Sequence, residues 1–457
     1  MKRVLIIVAI LLLPLTPIVL VVTGVLKSKP ATIAPVKLEV WGTADDAKGL
    51  APLIAKYRQT RSYVTVIYTK VRAEDYAQQL LSAWAQGSGP DVFFAPSAWI
   101  GQMSQYAVPM PISLTVPQII ITKGLIGTSS KVVSNAKAAP SMTGLKNSFV
   151  QAVTDDVIRD GRVWGLPLSI DTIVTYYNKD LTNNAKIFEP AVTWSELQSQ
   201  LTANKLTVTD QQGKLVQSGV ALGTSNNVPY ATDVLALLMM QNGSVMTTSD
   251  KQAHINDDAS LQALKFYLSF AQPRKTNYSW DAAQTNARDA FLQGKLGYFF
   301  GSLADRTTIA TTNLNWGVAP MLHIRATGDN DGTTGTERFI DPAKFQVAMV
   351  SKASAQKNHS TQAWNFVEFI TQAGNVRPYL QSTNQLPAQK SLLAQYETNQ
   401  DLGVFAKQIL TAKTWYHGND GMAVDTYLSQ LIDAGLAEKT DLTDLLNRTN
   451  AQIQSTL

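Results

Sequence analysis

Between Lys37 and Phe94 the hydrophobic period alternates between strand and helix, and this restricts the fold more than any other feature. Lys37–Gly42 alternates as a half-buried strand. Leu50, Leu53, Ile54 and Tyr57 recur at helical spacing, and Val64–Val71 is strand-like again. Tyr76, Leu80 and Trp84 mark a second helix, stopped at Gly87-Ser88-Gly89-Pro90, and Asp91-Val92-Phe93-Phe94 forms a third strand. Strands separated by helices cannot pair as hairpins; they pair in parallel through crossovers, which makes an α/β unit. Ligands of open α/β sheets sit beyond the carboxyl ends of the strands. The loop after the first strand holds Thr43 and Asp45, and the loop after the third holds Ser97 and Trp99. These four are candidate ligand contacts. Trp99 reads equally as an aromatic platform or as a packed loop anchor.

A chain of 457 residues exceeds what one hydrophobic core serves, so two lobes or more are expected. The formal charge of +5 does not describe a basic protein. Of 39 basic residues, Lys2, Arg3, Lys27 and Lys29 lie in the acid-free first thirty, leaving 35 against 34 acidic residues. A near-neutral remainder argues against a nucleic-acid partner. With no cysteine, disulfides, thiolate metal sites, cysteine nucleophiles and an N-terminal lipidated cysteine are excluded.

Val4–Leu26 is an uncharged run behind Lys2-Arg3. At about 1.5 Å per residue it is long enough for a hydrocarbon core of about 30 Å. It exceeds a signal-peptide core, and Val22-Thr23-Gly24 is a poor cleavage site. The segment 1–29 is therefore read as a membrane anchor, with cleavage after it as the alternative, and 30–35 as a linker.

The stretch Asp160–Leu181 contains two short apolar runs, Val163–Leu168 and Ile170–Tyr177, behind an Asp160-Gly161 turn, and both read as buried strands. Asp171 interrupts the second. An acid there either caps backbone N–H groups at a strand end or faces a cleft, accepting hydrogen bonds from ligand hydroxyls or an amine. Residues 107–147 lack a sustained period and are expected to be irregular with one weak helix. Thr193-Trp194-Ser195-Glu196 carries a helix capping box. Asp91 is read as a structural cap. Arg325–Lys344 is polar and glycine-rich; Asp329-Asn330-Asp331-Gly332 within it hints at a calcium loop, but Arg338 stands where its last ligand should be, so the stretch is read as a surface excursion. The tail is helical, with Val424, Tyr427, Leu428, Leu431 and Ile432 on one face, preceded by the aromatic loop Trp415-Tyr416-His417.

Several of these blocks resemble, in order, those of the type 1 extracellular solute-binding proteins, the maltose-binding-like receptors of ABC importers. The blocks are Tyr76…Gly89-Pro90-Asp91-Val92, then Gly165-Leu166-Pro167 with Asp171 and Tyr177-Asn178-Lys179, then Thr193–Leu197. Ala290–Gly301, Asn315–Pro320, Ala363–Ile370 and Asn384–Pro387 follow. The resemblance implies a two-lobed periplasmic-binding-protein type II fold, α/β, with a hinge and an interlobe cleft. It places lobe 1 at 36–168 and 346–387 and lobe 2 at 169–345 and 388–457. It implies a role for Asp171 in holding sugar hydroxyls, a cleft position for Phe300 and Ser302 after the Ala290–Gly301 block, and a stacking role for Trp415. The implied function is capture of a small carbohydrate, mono- or oligosaccharide, by hinge closure. The implied partner is an ABC permease at the outer face of the cytoplasmic membrane, served by a monomer without a cofactor.

The residues offer little to a catalyst. His254, His323, His359 and His417 show no zinc-ligand spacing, and no nucleophile elbow or phosphate-binding loop is present. A glycoside hydrolase would need a second acid opposite Asp171, and none stands out. The chain is read as a binding protein, not an enzyme. The alternatives are a receptor for a polyamine or another small solute, a binding module that feeds a sensor, and, behind these, a secreted hydrolase.

Overall fold

A computed structural model describes residues 31–43, 47–124, 127–324 and 340–457. The N-terminal apolar run, Asp45 and the Asp329–Gly332 excursion lie outside the described residues. In chain order the elements that build the framework begin with β1 (Val36–Gly42), α1 (Ala47–Thr60), β2 (Val64–Lys70), α2 (Ala73–Ala85) and β3 (Val92–Pro96). A long pair follows, β4 (Ser113–Gly124) and β5 (Gly127–Ala138). Next come β6 (Ser169–Thr172), β7 (Val174–Asn178), α3 (Trp194–Thr202), β8 (Leu215–Val220), α4 (Ala231–Gln241), β9 (Leu296–Gly301), α5 (Leu303–Ile309) and β10 (Trp316–Ala319). The last are β11 (Asp341–Lys344), β12 (Gln346–Val350), α6 (Ser360–Thr371), α7 (Ala373–Thr383), β13 (Leu386–Pro387), α8 (Leu402–Ile409), β14 (Ala412–Lys413) and α9 (Gly421–Leu436).

These elements make two lobes joined at a waist. The first sheet has the order β12-β3-β1-β2, with β1 parallel to both β2 and β3, as the alternating period requires. β12 closes it antiparallel to β3. Leu38 and Val40 are fully buried, and Tyr57 of α1 packs edge-on to Phe366 of α6, 5.2 Å between centroids. The second sheet runs β8-β9-β7-β10, with Val208–Thr209 paired outside β8. Every residue of β9 is buried. Trp194 of α3 donates its indole N–H to Gln241 Oε1 at 2.8 Å, and Thr193 and Glu196 form the expected capping box. Asp91 likewise accepts the Glu39 amide at 2.9 Å.

The waist is a third sheet, β13-β6-β11-β14. β6 enters the second sheet as β7 after one residue, Ile173, and β11 enters the first sheet as β12 after Phe345. The run Ile170–Tyr177 is therefore two strands in different sheets. Gln408 of α8 holds the break: its amide donates to Thr172 Oγ1 at 2.8 Å and to the Ile173 carbonyl at 2.6 Å. The run Val163–Leu168 is mostly irregular. Only Arg162–Val163 forms a strand, paired with Ile158–Arg159 across a turn in which Asp160 and Gly161 both have positive φ.

Residues 107–147 depart most from expectation. β4 and β5 pair without a break from Ser113↔Ala138 to Gly124↔Gly127, a two-stranded ribbon. Hydrophobic alternation fails to reveal it because only Leu114 and Val116, near its base, are deeply buried. Its one legible signal is the density of β-branched residues at 115–122 and 128–133.

Candidate functional site

The waist delivers Asp171 and Lys344 to the same point. They are opposite residues of the antiparallel β6–β11 pair, so their side chains leave the sheet on the same side. The Asp171 carboxylate accepts the Thr172 amide at 2.7 Å and, through both oxygens, the Leu303 amide at 3.1 Å. Leu303 opens α5, where backbone N–H groups lack helical partners and an anion is favoured. Withdrawal from water pushes the Asp171 pKa up to about 6 against these two hydrogen bonds; Asp305 pushes it further and Lys344 pulls it back. Asp171 thus has the capping role and also stands half-buried in the cleft wall.

Around this pair the second lobe supplies a charged wall. Lys344 makes an ion pair with Asp233, in the first turn of α4, and its ammonium lies 4.8 Å from the centre of the Tyr230 ring. Tyr230, just before α4, has φ of 62°, a left-handed conformation that a bulky side chain rarely adopts. Its hydroxyl bridges Ser302 Oγ and Asp305 Oδ2, both at 3.0 Å, and these bonds hold the ring beside Lys344. Asp425 projects from α9. Its surface is open, but the cleft walls around it displace water. That desolvation, with Asp233 close by, pushes its pKa up to about 6 against the pull of Lys344.

The wall on the first lobe is uncharged. The turn after β3 places Ser97 and Trp99, and the Ser97 amide donates to the Phe345 carbonyl at 3.0 Å. Trp99 stacks offset on Tyr76 with centroids 6.5 Å apart. Gln346 of β12, Tyr379 and Thr383 of α7, and Gln385 complete this side. Tyr379 donates to Gln385 Oε1 at 3.1 Å.

Trp415 reaches the cleft from the loop before α9, edge-on to Tyr416. That loop is tied to the first lobe: Asp156 accepts from Thr414 at 2.7 Å and contacts His417 Nδ1 at 2.9 Å, while Arg159 donates to the His417 carbonyl at 3.0 Å. The backbones meet closely enough to need glycine. A Cβ on Gly101 would lie 2.0 Å from the Gly418 carbonyl oxygen, and one on Gly421 would lie 2.7 Å from the Ala98 methyl.

Ser97, Trp99, Asp171 and Trp415 therefore line a single cleft of about 640 Å³, a volume typical of small-molecule sites. Thr43 stands behind this lining, accepting the Gln346 amide at 3.4 Å. Phe300 and Ser302 are placed otherwise than expected. Phe300 belongs to the buried strand β9 and packs edge-on to Trp194, centroids 5.7 Å apart. Ser302, 5% exposed, is spent on the Tyr230 and Tyr176 hydroxyls. The residues that sequence reasoning missed are Tyr230, Asp233, Lys344 and Asp425. Lys344 ends a polar stretch read as a surface excursion, and Asp425 sits inside a helix read only for its apolar face. The chemistry offered is carboxylates and amides to accept and donate hydrogen bonds and aromatic rings to cover apolar faces. Among the described residues no cluster of metal-binding side chains is present.

A sequence profile of the bacterial extracellular solute-binding proteins matches residues 53–406. A protein of Brucella abortus (strain 2308) whose name marks it as a binding protein is 25% identical over 277 residues, 59% of this chain and 61% of that protein. The maltodextrin-binding protein MdxE of Bacillus subtilis (strain 168) is 22% identical over 53% of this chain and 54% of its own length. The chain thus matches little more than half the length of these relatives. Among solved structures, the cyclic alpha-maltosyl-1,6-maltose binding protein from Arthrobacter globiformis superposes with a TM-score of 0.70. It is 18% identical, with 93% of this chain and 99% of that chain covered. A cyclo/maltodextrin-binding protein complexed with maltotetraose gives 0.67 at 19% identity, covering 93% and 98%.

Proposed function

The chain belongs to the bacterial extracellular solute-binding proteins, and from that premise we propose that it captures a carbohydrate in its interlobe cleft and delivers it to an ABC permease. The observation that carries this reading is the opposition of two unlike walls across one cavity. Trp99, Tyr379 and Trp415 offer ring faces to a pyranose, while Asp171, Asp233, Asp425 and Gln346 offer hydrogen-bond partners to its hydroxyls. The sugar names carried by the Bacillus relative and by the two solved structures support the same ligand class. Lobe 1 is taken as 36–168 and 346–387, lobe 2 as 169–345 and 388–457. Ligand contacts made to both walls favour the closed arrangement of the lobes. The chain acts as a binder and not a catalyst, as a monomer held at the outer face of the cytoplasmic membrane by residues 1–29. Of the sequence candidates, Ser97, Trp99, Asp171 and Trp415 are assigned to the ligand, with Asp233, Lys344 and Asp425 added.

The test is thermal stabilisation of the full chain, in a detergent without a sugar headgroup, against mono- and oligosaccharides, amino acids and polyamines. A ligand at a hundredfold excess over its Kd stabilises by about 2.7 kcal/mol. A sugar that stabilises the protein by this amount but its Trp415→Ala variant by only about a third as much supports the assignment; a library of sugars without effect, beside an amine that acts, overturns it. The amine reading has one observation in its favour: three aspartates and two lysines, Lys344 and Lys413, line the cleft. Lys344 already neutralises Asp233, which leaves Asp171 and Asp425 for a cation.

A further inference from the structure

The β4–β5 ribbon is not used by the cleft, and its surface does not suit a ribbon in water. At its base Leu114 and Val116 are buried beside α6, and Lys137 bonds Glu368 at 2.6 Å. The period of two puts Leu114, Val116 and Ile120 on one face and Ile119 and Ile121 on the other. An outward face would be polar in a solvated ribbon. Here it carries Ile119 at 41% and Ile121 at 64% exposure, with Val132, paired opposite Ile119, at 39%. Ile120 on the reverse face is 46% exposed and stands opposite Lys131. At about 3.3 Å per residue the arm is about 40 Å long, and these residues lie in its outer half.

Two further observations bear on what this patch meets. The first is charge. No acid occurs between Asp91 and Asp155, while the ribbon sequence contains Lys123, Lys131 and Lys137, of which Lys137 is already paired with Glu368. A second copy of such a surface would be repelled, whereas an anionic one is complementary. The second is position. The Ala31 amide donates to Ser130 Oγ at 2.7 Å, and Ser130 is the ladder partner of Ile121. The chain therefore passes the patch just as it leaves the apolar run that ends at Leu26. Five residues span at most about 17 Å, so a bilayer that holds that run also lies within reach of Ile121.

We propose that the β4–β5 ribbon is a membrane-docking arm, whose Ile119–Ile121–Val132 face enters the headgroup boundary of an anionic bilayer while Lys131, on the face behind it, adds attraction to the lipid phosphates within a Debye length. Apolar side chains on a cationic surface are the ingredients of interfacial binding. Docking adds a second point of attachment to the N-terminal segment, so the globular part is oriented on the membrane instead of swinging on its linker. The inference rests on residues 1–29 holding the chain at a bilayer, and it is independent of what the cleft binds.

The absence of cysteine makes the test direct. Ile121→Cys, and separately Gln262→Cys on an exposed position of the helix Asp258–Ser269 in the second lobe, are introduced into the full chain and labelled with an environment-sensitive fluorophore. Each protein is mixed with phosphatidylglycerol–phosphatidylcholine vesicles containing a nitroxide lipid, and flotation reports how much is bound. The expected result is a blue shift and severalfold quenching at 121, no change at 262, and loss of the quenching in Ile121→Cys chains that also carry Ile119→Ser and Lys131→Glu. A floated protein whose 121 label stays aqueous and unquenched overturns the proposal and leaves the ribbon to a protein partner such as the permease. A chain that does not float overturns it together with the anchoring by residues 1–29.

Discussion

The two walls of the cleft are built from different material. The first-lobe wall, from Ser97, Trp99, Gln346, Tyr379 and Gln385, holds no charge, and its polar groups are amides and hydroxyls. The second-lobe wall concentrates Asp171, Lys344, Asp233 and Asp425. The difference follows from how each is positioned. The uncharged side chains stand on a strand end and a helix whose backbones are satisfied within the first lobe. The charged ones cluster because each compensates another: α5 wants an anion at Leu303, Asp171 supplies it, and Lys344 opposes Asp171 across the strand pair. A ligand then meets preformed charge on one side and apolar ring surface on the other, so neither wall alone is complementary to it.

Removing the aromatic element is the strongest way to break this division of labour. Trp415→Ala is expected to weaken the cleft's ligand by about 30-fold or more, the loss of roughly 2 kcal/mol seen when a central aromatic anchor is truncated, as read by calorimetric titration. If Trp415→Ala binds as the parent does, the rings are a mere enclosure and the charged wall does the recognition alone.

Asp171→Ala separates capping from ligand contact. It strips the Leu303 and Thr172 amides of their acceptor, and the expected cost is about 1–2 kcal/mol in denaturant unfolding without ligand. Asp171→Asn, which retains an acceptor, should recover most of this. Equal stability of Asp171→Ala and the parent would mean that water replaces the carboxylate and that its place in the wall is free for other chemistry.

The ionisation of the waist and the charged wall gives a third expectation. Asp341, buried beside Thr411, has its pKa pushed up to about 7 by desolvation, and Asp171 and Asp425 are at about 6. All lie above the ordinary carboxylate range, so the folded state holds these protons more tightly than the unfolded chain does. Their contribution is fully present below about pH 4 and is lost as pH rises through 6 to 7. The ligand-free protein should melt higher at pH 5 than at pH 8. Asp341→Asn should raise stability at pH 8 by about 1–3 kcal/mol and flatten that profile; a profile unchanged in the variant would remove Asp341 as a source.

The smallest effect is expected from Asp425→Asn. It should leave the fold intact and weaken a sugar by about tenfold, close to 1.4 kcal/mol for one hydrogen bond to a charged group. A polyamine would suffer far more. The ratio of these two losses sharpens the contrast between the walls, because it tells whether the charged one supplies acceptors or net charge.

How far the site was legible follows from sequence distance. Trp99 and Ser97 are readable because they follow a parallel strand, where backbone geometry alone opens a crevice. Asp171 is readable because an acid in an apolar run demands a partner, although that partner, Leu303, is far away in the chain. Phe300 was misplaced because a strand edge and a strand interior share one composition; only the pairing of β9 with both β8 and β7 buries it. Lys344 and Asp425 were invisible for the opposite reason. Polar residues in a polar stretch or on a helix flank carry no local anomaly, and their meeting is a product of the waist.

The sequence by itself determined the α/β class of the first lobe and the parallel pairing of its first three strands. These follow from periods of two and 3.6 that act within a few residues. It also determined the local cap at Thr193 and the turn at Asp160-Gly161, where short-range hydrogen bonds and φ preferences suffice, whereas Asp91 caps the amide of Glu39, 52 residues away. Tertiary structure decided where Ile170–Tyr177 changes sheet, because that depends on Gln408 capturing Thr172 and Ile173 from far along the chain. It decided which aspartates share a wall, and it decided that Ser113–Gly124 and Gly127–Ala138 pair as a ribbon. In the first two cases the stabilising contacts join segments that no local pattern connects; in the ribbon, packing of its base against the helix Ser360–Thr371 adds what local propensity leaves open.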